Sequence, residues 1–292
     1  MPKSNTCEFL VNNKPCGGLL LEEAEVKLES IPESPDVKGE NGLGIIVMDM
    51  SGSMDEKAFP QKANYDITKS AVISSALSTS IVNIRNINNS AKAYVAIIGF
   101  TSEAKLLGIF KASEINEDVS FWNKWFADKI EDVRNTCGGG TNITSALRLS
   151  RQIYDAALKG DLSSYGIKDF KPMYQHVNIK SRIYDIANVR VFIYSDGAHY
   201  ANEPLSNAFD DASLIPGESN ITGITAAYLG NIEDAGYETM RNIAGVCPKH
   251  EKKTVIHVND PKAYIFLRDL FHMTSATSGF CIQCAPTQQI NL

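Results

Sequence analysis

The 292-residue chain has no apolar run approaching the 18 residues that would suggest a membrane span. Its first residues, Met1-Pro2-Lys3-Ser4-Asn5-Thr6-Cys7-Glu8-Phe9-Leu10-Val11, hold no apolar region of signal-peptide length. The expectation is a cytoplasmic protein without membrane insertion. Basic charge is also short: 28 Lys and Arg against 34 Asp and Glu give a net charge of −6, and no basic stripe stands out, which argues against nucleic acid as a partner. A Walker-type phosphate loop is missing, because Gly138-Gly139-Gly140-Thr141 carries no Lys. None of the five histidines falls in a metal-ligand spacing. His199, the nearest to the site described below, reads as a loop residue because no partner for acid–base work can be identified. Apolar residues, by contrast, make up 43% of the chain, ample for one large domain or one domain with small attachments.

The stretch around which the chain is organised is Gly42-Leu43-Gly44-Ile45-Ile46-Val47-Met48-Asp49-Met50-Ser51-Gly52-Ser53-Met54-Asp55. An apolar run without alternation predicts a strand buried on both faces of a parallel sheet. It stops at Asp49, and in open α/β sheets the crevice at the carboxyl ends of the strands is where ligands bind. Oxygen side chains at i, i+2 and i+4 can converge on one point, with Gly52 relieving crowding, and hard divalent cations favour oxygen ligands. Serine is a weak ligand alone, so more oxygens are needed. Two later segments can supply them: Gly138-Gly139-Gly140-Thr141-Asn142, and Tyr194-Ser195-Asp196-Gly197 after a second apolar run at 189–194. A hydroxyl-rich turn with capping carboxylates is the competing reading.

This constellation resembles the metal-ion-dependent adhesion site of the von Willebrand factor A family. The Asp-x-Ser-x-Ser motif falls on Asp49, Ser51 and Ser53, the family's Thr on Thr141, and its Asp-Gly on Asp196 and Gly197. The resemblance implies that Ser51, Ser53 and Thr141 touch a Mg²⁺ ion directly (Mn²⁺ or Ca²⁺ in its place), while Asp49 and Asp196 act largely through bound water. It further implies a Rossmann-like, doubly wound α/β fold. The sheet is then mostly parallel with one antiparallel edge strand, and helices cover both faces.

The order of elements is read from periodicity and turn residues. Residues 59–84 form a long helical candidate, with Ile67, Ala71, Ile73, Leu77, Ile81 and Ile84 at helical spacing. Residues 91–100 and 104–110 read as strands, and only three residues separate them, so they form an antiparallel hairpin. Residues 121–133 carry Phe121, Trp122, Trp125 and Phe126 on an amphipathic helix, more for the core than for a partner. Thr141 or Asn142 caps a helix to about Lys159. Its N-terminal amides favour an anionic ligand beside the ion. The connection at 160–188 lies opposite the ion, whereas 198–219 borders it and brings Asn202, Glu203, Asp210, Asp211 and Glu218, read as a solvated rim before extra ligands. Then come a strand at 221–229, a helix at 233–244, a strand at 254–258 and a last helix from Pro261 to about Ser275. The expected organisation is an N-terminal extension with a linker at 1–41, the main domain at 42–278 and a tail at 279–292. The long connection before the Asp196 strand and the short ending are also similar to the bacterial branch of the family linked to tellurite resistance and stress clusters.

Cysteines sit at both ends. Cys281 and Cys284 form a Cys-x-x-Cys pair, and Cys7 and Cys16 precede the first strand. Four thiolates from two turns would suit a tetrahedral structural Zn²⁺, although the spacing of the first pair exceeds the usual two to four residues. A redox pair at Cys281 and Cys284, or plain reduced thiols, are the other readings. Cys137 and Cys247 read as isolated thiols.

Two functions compete for the Asp49 site. In the first, neutral hydroxyls leave the ion much of its charge and an open position that a carboxylate from another protein fills. The chain is then a metal-dependent interaction module and not an enzyme, as the resemblance implies, in a bacterial stress-response or regulatory complex. Kinases, phosphatases and ring ATPases are partners compatible with that company, but no residue selects among them. In the second, the ion activates water or a phosphoryl oxygen in a hydrolase or phosphatase. Such sites usually gather more carboxylates than Asp49 and Asp196, and no general base is apparent, so binding is preferred.

Overall fold

Gly42–Asp49 (β1) is the middle of a six-stranded sheet, hydrogen-bonded on both edges. The computed structural model describes residues 10–11, 14–15, 41–62, 64–85, 92–179, 182–213, 223–247 and 252–258. Residues 16–40 of the N-terminal extension and linker, Glu218 of the rim, the last helix from Pro261 and the cysteines at 7, 16, 281 and 284 lie outside these residues.

After β1 the chain runs through Lys69–Arg85 (α1), Ala93–Phe100 (β2), Ala104–Lys111 (β3), Val119–Cys137 (α2) and Ile143–Leu158 (α3). There follow a hairpin of Tyr174–Ile179 (β4) and Arg182–Ala187 (β5), then Val189–Ser195 (β6), Ile224–Tyr228 (β7), Ala235–Ile243 (α4) and Val255–His257 (β8). The sheet order is β8-β7-β6-β1-β2-β3. All pairs are parallel except β2 with β3, which are antiparallel across the turn at 101–103. This is the expected α/β sheet with one antiparallel edge strand.

Every residue of β1 is buried, because its two faces enter different cores. Ile46 and Met48 pack with Ile73, Leu77 and Ile81 of α1 and Trp122 and Phe126 of α2. Leu43, Ile45 and Val47 face the other layer, where Ile143, Leu147 and Ile153 of α3 meet Met240 and Ile243 of α4. Each such side chain contributes about 1.5–3 kcal/mol on burial, so the strand ending in Asp49 is held from both sides. The aromatic cluster is mainly core: Trp122 and Phe126 are buried, Phe110 of β3 stacks edge-on against Trp122 and Trp125, and Phe121 alone of the four helix aromatics is exposed.

The helical candidate at 59–84 is only partly a helix. Residues 57–62 and 64–68 belong to a folded loop instead, closed by a bridge between Lys57 and Thr68 and by the Ala58 amide donating to the Ile67 carbonyl. Pro60, which cannot donate a backbone bond, sits at its bend. Phe59 is buried, with its ring edge-on to Tyr65. The helix starts where the Thr68 hydroxyl accepts the Ala71 amide. At 160–188 the hairpin β4/β5 replaces the expected polar connection, and Lys171 and Met173 bond to Asn41 at the start of β1. That segment therefore lies at the end of the sheet remote from Asp49, as expected.

Candidate metal centre

Asp49 closes β1 level with Phe100 of β2. Its carboxylate turns the chain at once, with Oδ1 accepting the Ser51 amide at 2.9 Å. The turn continues into a short 3-10 segment, Gly52–Asp55, and brings the hydroxyls of Ser51 and Ser53 to 3.1 Å from each other. From the neighbouring strand, the Ser195 hydroxyl donates to Asp49 Oδ2 at 2.6 Å and accepts the Gly197 amide at 2.9 Å. The parallel pairing of β1 with β6 thus places Asp196 beside the turn. The Asp196 charge is felt at Asp49.

Asp49 is 1% exposed, and among the described residues no cationic side chain bonds to it. Burial pushes its pKa up to about 6 despite hydrogen bonds from Ser195 and Ser51, and the Asp196 charge adds to the rise. A buried carboxylate met by hydroxyls and an amide is short of positive charge. A hard divalent cation would supply it, and the oxygen donors at this turn fit such an ion.

The Thr141 loop is tied through the backbone to the strand beside the Asp49 turn. The Met50 amide donates to the Phe100 carbonyl, and the next carbonyl, of Thr101, accepts the Asn142 amide at 2.6 Å. On its other side Thr141 exchanges backbone bonds of 2.9 and 2.8 Å with Tyr200, in the segment after Asp196. Gly140 before it has a steric reason: a Cβ there would stand 2.7 Å from the Ser102 hydroxyl and 2.8 Å from the Tyr200 carbonyl. Asn142 caps α3 by accepting the Ser145 amide, as expected. Gly197 has φ +71°, and a Cβ there would lie 2.0 Å from the Gly236 carbonyl oxygen.

Two residues at the site carried no signal in the sequence. Lys69 donates to Asp196 Oδ2 at 3.0 Å, to Glu56 Oε2 at 2.8 Å and to the Ser53 carbonyl at 3.3 Å. Burial opposes its charge, but bonds and attraction from Glu56 and Asp196 outweigh this and hold its pKa above the usual range. Arg134, near the end of α2, donates to the Met50 carbonyl at 2.7 Å and the Ser51 carbonyl at 3.0 Å and forms a forked pair with Asp55. It clamps the Asp49 turn to the helix that leads into the Thr141 loop.

The described rim carboxylates are engaged elsewhere: Glu203 accepts from Asn142 and Arg148, Asp211 from Arg151, and Asp210 from Asn207. The His199 ring bonds through Nε2 to the Glu203 backbone. The Cys137 thiol is free and lies 3.6 Å from the Thr136 hydroxyl. Among the described residues no group of three or more His, Cys, Asp or Glu side chains is assembled to hold a metal, so any ion at the Asp49 turn would depend on hydroxyls. No described helix is long and apolar enough to cross a membrane.

A doubly wound sheet with an Asp-x-Ser-x-Ser turn at the end of its central strand is the frame of a von Willebrand factor type A domain. Residues 45–161 match the model of that family. Among solved structures, the chain is similar to a von Willebrand factor type A protein from Catenulispora acidiphila, with 16% identity, TM-score 0.44, and coverage of 80% of this chain and 43% of that one. It is also similar to the pilus adhesin SpaC from Lactobacillus rhamnosus GG, with 12% identity, TM-score 0.46, and coverage of 80% and 30%. A third is proximal thread matrix protein 1 from the mussel byssus with a zinc-occupied MIDAS motif, at 15% identity, TM-score 0.43, and coverage of 81% and 48%. The chain spans less than half the length of these three proteins. No curated protein matches it.

Proposed function

We propose that the chain is a metal-dependent protein-interaction module whose Asp49 turn holds a divalent cation, Mg²⁺ before Mn²⁺ or Ca²⁺. The observation that carries this is the buried Asp49 carboxylate, faced by hydroxyls and an amide and short of a balancing charge. Ser51, Ser53 and Thr141 are the direct ligands, while Asp49 and Asp196 act through water. When bound, the ion supplies a coordination position for an Asp or Glu of another protein. The chain's own residues do the rest. Ser195 orients Asp49, Arg134 holds the turn, and the Thr141–Tyr200 pairing joins the third loop to the second. Neutral hydroxyls leave more charge on an ion than carboxylates do, which favours capture of an outside anion over a closed cage. The terminal cysteines Cys7, Cys16, Cys281 and Cys284 are proposed separately as a structural Zn²⁺ set.

The test is capture of partners by the full chain with and without EDTA, beside the Ser51→Ala/Ser53→Ala variant. The expected result is one partner lost in both conditions. A partner retained through both treatments overturns bridging by the ion.

A further inference from the structure

An ammonium group stands beside the proposed ion site, bonded to Asp196 and to the Ser53 carbonyl. Lys69 is the first residue of α1, its side chain is 9% exposed, and its three acceptors come from the Asp49 turn, the following loop and the end of β6. The N-terminus of a helix disfavours a cation, and burial costs more still. The position is held by its acceptors. Of these, the Asp196 side chain is 8% exposed, whereas that of Glu56 is 68% exposed and well solvated.

Charge counting shows what the lysine changes. Asp49 and Asp196 contribute −2 and Lys69 +1, so the inner group is −1, and a divalent ion makes it +1. Without the lysine the loaded group would be neutral. Resting on the ion-site reading above, we infer that Lys69 is a resident counter-charge that sets the specificity of the site: it weakens capture of the free ion and leaves the loaded site cationic. Ion and partner carboxylate then bind cooperatively, because the anion removes the excess charge that the lysine maintains. The bond from Lys69 to Asp196 also fixes the carboxylate that follows Ser195, so the same residue positions and discriminates.

The test is calorimetric titration of the full chain with Mn²⁺ alone and in the presence of acetate as the carboxylate probe, comparing wild type, Lys69→Met and Lys69→Arg. Lys69→Met is expected to bind Mn²⁺ about tenfold tighter, from loss of a nearby repulsive charge. Acetate is expected to tighten Mn²⁺ binding to wild type and Lys69→Arg but not to Lys69→Met. A purely structural lysine would give the opposite sign, since its loss would loosen Asp196 and weaken binding. If Lys69→Met does not fold, Lys69→Gln, neutral but still a donor to Asp196, is read by the same criterion. Unchanged or weaker Mn²⁺ binding in the folded neutral variant overturns the counter-charge. A wild-type chain that binds no Mn²⁺ overturns the ion site itself, and the counter-charge with it.

Discussion

Replacing Asp49 with Asn is expected to make the metal-free protein more stable, although it removes the residue at the centre of the site. Asp49 is buried and titrates near 6 in the fold, against an ordinary 3.8. The unfolded chain therefore gives up this proton first. Between those two pH values the native state binds more protons, so stability falls as pH rises, and above about 6 the loss is complete. At about 1.4 kcal/mol per pH unit, the ionised carboxylate costs the metal-free fold about 3 kcal/mol at neutral pH. Asn keeps an acceptor for the Ser51 amide but presents an amide to the Ser195 hydroxyl, which must then find a new acceptor, at a cost of about 1 kcal/mol. The net gain is about 2 kcal/mol, a rise in Tm of about 4–8 °C for a domain of this size. Thermal melts at neutral pH in EDTA measure it. Saturating Mg²⁺ then separates the variants: wild type gains about 2.7 kcal/mol at a hundredfold excess over Kd, whereas Asp49→Asn gains little. A variant that melts below wild type in EDTA, or that responds equally to Mg²⁺, refutes the reasoning.

The same titration predicts a pH profile. Without metal, the wild-type Tm declines from about pH 4 to about pH 6, and the Mg²⁺-induced rise in Tm disappears as pH drops through about 6, where a proton competes for Asp49. Gly197→Ala combines a strained positive φ with a clash against the Gly236 carbonyl. It is expected to cost at least about 2 kcal/mol in urea unfolding and to displace Asp196, lowering the Mg²⁺ response. Arg134→Met removes the donors to Met50 and Ser51. With the side chain 29% exposed, its loss is expected to cost about 1–2 kcal/mol, and calorimetry is expected to show weaker Mn²⁺ binding. Trp122→Ala empties the core under α2 at about 3–5 kcal/mol and leaves the Mn²⁺ affinity of the folded fraction near wild type.

The central strand and its terminal carboxylate are plain in the sequence because an unbroken apolar run ending in Asp has few uses other than a doubly buried strand at a sheet's ligand edge. The β2/β3 hairpin follows from the three residues between two apolar runs, and the α3 cap from Asn142 ahead of a periodic segment. Periodicity reports which face of a segment is buried, however, and not what it is buried against. Phe59 and Ile67 fit a helical stripe in sequence, yet the pairing of Ala58 with Ile67 folds that segment into a loop. A helix running from residue 59 would put Lys69 in its middle, where a lysine carries no particular signal. Only the true start at Lys69 reveals a cation at the wrong end of a helix dipole, and so in need of anions. Its partner Asp196 lies 127 residues away in the chain. Arg134 and Ser195 are similar: a guanidinium late in α2 and a hydroxyl at the end of β6 become part of the Asp49 turn only when sheet pairing and helix packing bring them within 3 Å. The sequence by itself determined the strand, the turn and the oxygen-bearing residues offered there, since local spacing and residue chemistry are enough for that. The tertiary structure alone decided the charge balance, because electrostatic partners are chosen by distance in space, and distance in space is what chain order does not encode.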